Sequence, residues 1–99
     1  MLDDLSQYLG LLNVSVHIPS ARSLKDKRMV LKSVKERLKN RFNISICEVD
    51  GQDTWQSATL AVAMVNNDKK FIDSSFQKIL LFLEGSGSLN ICERRVEYY

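Results

Sequence analysis

The hydrophobic period of this chain switches back and forth between two residues and about 3.6, and the order of the switches restricts its fold more than any single residue does. Residues 10–18 alternate, with Leu12, Val14, Val16 and Ile18 on one face and Leu11, Asn13, Ser15 and His17 on the other. That is the pattern of a half-buried strand, and Pro19 with Ser20 ends it because proline cannot donate to a sheet ladder. From Ser23 the period becomes helical. Ser23 offers an N-cap oxygen, Asp26 sets a carboxylate near the positive end of the dipole, and Leu24, Leu31, Val34, Leu38 and Phe42 form one apolar stripe. Asn40 and Asn43 bracket the predicted end of this helix.

Residues 44–50 return to a β pattern, with Ile44 and Ile46 on one face and Cys47 and Val49 on the other. Residues 51–54 have turn composition, and residues 55–65 form the third and longest predicted strand. Asn66, Asn67 and Asp68 supply caps for a second helix whose predicted core face is Phe71, Ile72, Phe76, Ile79, Leu80 and Leu83. The Gly85-Ser86-Gly87-Ser88 run stops it, glycine being suited to the left-handed C′ position. Residues 89–99 read as the last strand, and residues 1–8, without a period, as a loose leader.

The resulting β-α-β-β-α-β order predicts an α+β, ferredoxin-like domain spanning 1–99. Its four-stranded antiparallel sheet would run in spatial order 4-1-3-2 with both helices on one face. A 44% hydrophobic content argues against disorder, and no apolar run approaches the roughly 18 residues that a membrane helix needs. Asp3 and Asp4 stand where a secretory signal carries positive charge. Cys47 and Cys92, with no C-x-x-C spacing, predict two reduced thiols in a cytoplasmic protein. His17, the single histidine, leaves too few ligands for zinc and reads as a plain strand-end residue. No metal, cofactor or membrane contact is expected, and no catalytic signature is visible.

Charge is the informative surface property. The net value is only +2, yet nine of the 14 basic residues and two of the 12 acids fall between Arg22 and Arg41, giving that segment +7. At about 100° per residue, Lys25, Arg28, Lys32, Lys35 and Lys39 share an arc of roughly a quarter turn. Such a face holds phosphate backbones without reading sequence, and structured RNA recognised by its shape suits it. The predicted topology also places Arg22, Ser23, Lys25, Lys27 and Arg28 beside the turn between strands two and three. There the helix amides and cations are expected to hold an anion, unless Lys27 and Arg28 instead pair with Glu48, Asp50 or Asp53. Trp55 is expected to anchor that hairpin against the start of the first helix, with stacking on a nucleobase as the alternative.

The S-L-K-D-K-R run at 23–28, the R-F-N-I-S-I-C-E-V stretch at 41–49 and the D-x-W-Q pattern at 53–56 occur together and in order. In these the chain resembles the YlxP-like family, domain of unknown function 503, from about Leu9 to Glu97. The resemblance implies a ferredoxin-like fold in small bacterial proteins, often encoded among translation and ribosome-maturation genes, and hence a role around RNA or the ribosomal particle. It carries no catalytic residues.

Three functions follow as expectations. The first is a non-catalytic RNA- or ribosome-associated protein that uses Lys25, Lys27, Arg28, Lys32, Lys35 and Lys39. It does not work as RNA-recognition motifs do, because the open sheet face offers no aromatic platform. The second is a homodimeric protein-interaction or small-anion-binding module, packed through an apolar patch of Thr59, Ala61, Ala63 and Val65, extended by Val49 and Val96. The third is an acylphosphatase-like enzyme with Arg22 as phosphate ligand and Asn66 or Asn67 orienting water. It is the weakest, the spacing being poor.

Overall fold

The alternating segment near the head of the chain becomes β1 (Tyr8–His17), a central strand paired on both sides in a computed structural model that describes residues 2–51 and 54–99. The remaining elements are α1 (Leu24–Arg41), β2 (Ser45–Asp50), β3 (Ser57–Asn66), α2 (Lys69–Gly85) and β4 (Asn90–Tyr98). The sheet runs β2-β3-β1-β4 with every pair antiparallel, the predicted 4-1-3-2 order read from the opposite edge. Met1, Gln52 and Asp53 lie outside the described residues, and with them part of the expected 51–54 turn. Residues 2–7 are exposed and precede the first strand.

Alternation sorts the two faces of the sheet. Leu12, Val14 and Val16 of β1 and Ala58, Leu60, Val62 and Met64 of β3 are buried under the helices. They meet Leu31, Val34 and Leu38 of α1 and Ile72, Phe76, Ile79, Leu80 and Leu83 of α2. Each Val, Leu, Ile, Met or Phe side chain among them contributes about 1.5–3 kcal/mol when fully buried. β1 begins two residues before the predicted start because Tyr8 and Leu9 continue the ladder opposite Asn66 and Val65. Gly10 there lies on the covered face under α2, where an added Cβ would come within 2.5 Å of Ile72 Cγ2. A glycine lets the helix approach the strand at this point.

Two expected placements are corrected. Phe71 is 54% exposed, because it stands about 100° around α2 from Ile72 and leaves the core arc. Val96 pairs with the buried Leu12 and so lies on the helix side of the sheet instead of the open face. Helix ends follow their predicted chemistry. Ser23 caps α1, Asp68 caps α2 by accepting from the Lys70 amide, and Gly87 takes the left-handed conformation (φ 76°) after Ser86.

Candidate nucleic-acid interface

The start of α1 is closed by its own side chains. Ser23 Oγ accepts from the Asp26 amide at 3.0 Å, and the Asp26 carboxylate accepts from the Arg22 amide at 3.0 Å. A carboxylate thus stands beside the positive end of the helix, where it competes with the expected anion. Ser23 is engaged as the helix cap and is not free to hold an anion through its hydroxyl oxygen.

Lys27 also leaves the predicted phosphate-binding set. Its side chain is 1% exposed, the largest fully buried one among the described residues. The ammonium donates to a Glu48 carboxylate oxygen at 2.9 Å, to the Thr54 carbonyl at 2.6 Å, to the Gly51 carbonyl, and at 3.2 Å to the Ser57 carbonyl. An ammonium has three protons for these four acceptors, so one proton is shared, and the cation is saturated inside the fold. Glu48 is therefore the partner that the sequence offered as the alternative to an anion. The physical reason is position. Lys27 falls on the same stripe as Leu31, Val34 and Leu38, so its stem lies among apolar side chains and its head reaches the far end of the β2–β3 connection. Gly51, at φ 84°, turns that connection back, and a Cβ there would lie 3.1 Å from the Ser57 carbonyl oxygen.

With Lys27 removed, the arc of α1 is cleaner. Lys25, Arg28, Lys32 and Lys39 are exposed and Lys35 is half-buried. Among the described residues none of the five forms an ion pair with a carboxylate. Arg22, exposed at the loop before α1, adds a sixth cation at the same end. The opposite flank of α1 carries a second basic group that the sequence reading missed. Arg37 and Arg41 lie over the Phe82 ring of α2, 5.2 and 5.6 Å from its centroid. Their i, i+4 spacing was visible, but Phe82 is too distant in sequence to be read as their partner.

The open sheet face has a different character. Thr59, Ala61, Ala63 and Val65 do lie there, opposite Ser15, Asn13, Leu11 and Leu9 of β1. Leu9 and Val65 are 39% and 68% exposed, and Tyr99, hydrogen-bonded through its backbone to Leu9, adjoins them. At the other end of this face are Asp50, Glu93 and Arg95. Arg94 also borders it; Arg95 pairs with Glu97 at 3.1 Å and Arg94 with Glu84 at 4.0 Å, which leaves Asp50 and Glu93 there without an ion pair among the described residues. The two central strands show no aromatic residue on it, and a phosphate backbone would meet carboxylates there.

The acylphosphatase arrangement does not form. Arg22 follows the C-terminal end of β1, whereas Asn66 pairs with Tyr8 at its N-terminal end, a strand of roughly 30 Å away. The described residues contain no group of three or more His, Cys, Asp or Glu side chains that would hold a metal, and both cysteines are free and exposed. No described helix is long and apolar enough to cross a membrane.

Comparison with known proteins places this geometry. A family model described as "Protein of unknown function (DUF503)" matches residues 9–96. The uncharacterized protein YlxP of Bacillus subtilis (strain 168) is 33% identical over 91 residues, covering 92% of this chain and 99% of that protein. Among solved structures, the de novo designed protein Foldit4 aligns with a TM-score of 0.54 at 14% identity, covering 94% of this chain and 96% of its own, which is a likeness of fold alone.

Proposed function

The chain belongs to the DUF503 family, and on that premise we propose that it is a non-catalytic RNA- or ribosome-associated protein of the cytoplasm. It holds structured RNA through the exposed flank of α1. One observation carries this reading: Lys25, Arg28, Lys32, Lys35 and Lys39 share one flank and have no carboxylate partner among the described residues, while the one buried lysine of the helix is neutralised by Glu48. Solvated ion pairs would blunt such a face; unpaired lysines release counterions from a phosphate backbone. Asp50 and Glu93, without an ion pair on the open sheet face among the described residues, direct a polyanion to the helix side.

The test is fluorescence anisotropy of a structured ribosomal RNA fragment against salt, for the native protein and for Lys32→Glu/Lys35→Glu/Lys39→Glu. The native protein is expected to show a log–log slope of about −0.7 to −0.9 per phosphate contact, and the triple variant to lose most of the binding. Equal binding by both proteins, or none at low salt, removes the proposal.

A second reading rests on the apolar end of the open face, where Leu9, Val65 and Tyr99 are exposed beside Ala63. A two-fold dimer packed through that face buries them. Sedimentation at high micromolar concentration is expected to give a dimer that Ala61→Asp dissociates; a monomer under those conditions counts against it. Such a dimer would display two basic helices, so the readings are compatible.

A further inference from the structure

Resting on the RNA reading above, we infer that Trp55 is a stacking platform for an unpaired nucleobase, and that the RNA this protein takes has a single-stranded base beside a paired segment. Trp55 is 51% exposed and takes no part in the core cluster. The anchoring expected of it is done by its neighbours instead. The Thr54 carbonyl accepts from Lys27 Nζ, the Gln56 side-chain amide donates to the Ala21 carbonyl at 3.1 Å, and the Gln56 carbonyl accepts from the Ile18 amide at 2.9 Å. These bonds fix the place of the residue without engaging its ring, so the indole keeps an exposed flat face, which is what base stacking needs.

Its location supplies the second half of the argument. The bonds from Gln56 to Ala21 and from Lys27 to Thr54 set this turn against the start of α1, the end of the helix beside Arg22 that carries Lys25 and Arg28. The other strongly exposed aromatics, Phe71 and Tyr99, stand at the opposite end of the sheet, beside the start of α2 and the start of β1. A duplex lying along the lysine flank therefore meets one indole at the end of its track. A base still paired within the duplex cannot present its flat face to that indole, whereas a bulged or flanking base does.

Trp55 is the single tryptophan of the chain, so its emission reports this contact directly. The experiment titrates the native protein with two RNA hairpins of equal length, one fully paired in its stem and one with a bulge of unpaired adenines. Trp55 emission and anisotropy of the labelled RNA are followed together, and Trp55→Ala and Trp55→Phe are measured beside the native protein. The bulged hairpin is expected to quench the emission saturably. Trp55→Ala is expected to weaken binding of the bulged hairpin about tenfold while leaving the paired hairpin unchanged, and Trp55→Phe to restore most of the loss. Binding of both hairpins with no quenching and no effect of Trp55→Ala overturns the stacking role and leaves the lysine flank standing. Absence of binding to either hairpin at low salt overturns both.

Discussion

Each helix is tied to the sheet by a polar contact, and the two ties differ in how much water reaches them. α1 is held through Lys27, whose ammonium is enclosed by Glu48 and three backbone carbonyls. α2 is held to β4 by the Tyr98 hydroxyl donating to the Asp73 carboxylate, by Lys69 over the Tyr98 ring at 4.6 Å, and by Arg94 facing Glu84 at 4.0 Å, all near the surface. The same kinds of group carry very different weight in the two places. A surface pair trades protein contacts for water at little net gain. A buried cation has no such alternative, and removing one member of its set leaves the others without the charge they were arranged around.

The sharpest way to break this comparison is Lys27→Met, which keeps the stem and deletes the charge. It is expected to destabilise the protein by about 3–5 kcal/mol, a large part of the roughly 5–15 kcal/mol of a domain of this size. Urea unfolding followed by circular dichroism measures it, and a loss near that of a surface pair would make the two ties equivalent.

A gentler probe is Tyr98→Phe, expected to cost about 1 kcal/mol at neutral pH. Its value lies in the pH dependence. Burial first, then the hydrogen bond to Asp73 and that carboxylate's negative charge, push the Tyr98 phenol from 10.0 up to about 12. The folded protein therefore keeps a proton that the unfolded chain releases near pH 10. The stabilisation is complete below about pH 10 and is lost as pH rises from there to about 12. The gap between the native protein and Tyr98→Phe should close over that window in paired urea titrations. A constant gap would show that the phenol proton is no part of the tie.

Most of the fold was legible in the sequence because it is written in local periods. The alternation of Leu12, Val14 and Val16, the stripe of Leu31, Val34 and Leu38, and the capping residues Ser23 and Asp68 each declare their element without reference to the rest of the chain. The candidate site was less legible because its decisive contacts are non-local. Lys27 looked like one more member of a basic run, and its acceptors lie 21 to 30 residues further on. One local signal did exist: Lys27 holds the i, i+4 place of the apolar stripe, where a lysine is either misplaced or paired. Trp55 is hard to place for the opposite reason. A large aromatic at a strand start is usually core, and only the non-local bonds of Lys27 and Gln56 show that the turn is fastened by its neighbours. Val96 shows how register decides a face, since its partner Leu12 turns it toward the helices.

The two outer strands bear on how copies of this protein behave when crowded together. β4 carries Glu93, Arg94, Arg95 and Glu97 along its length, so a second strand aligning on that border would have to match charges of both signs. β2 is only six residues long, and its register shifts between Glu48 and Asp50, which spoils the straight ladder that an added strand would copy. Short, charged or kinked borders are how small open sheets resist running on into fibrils.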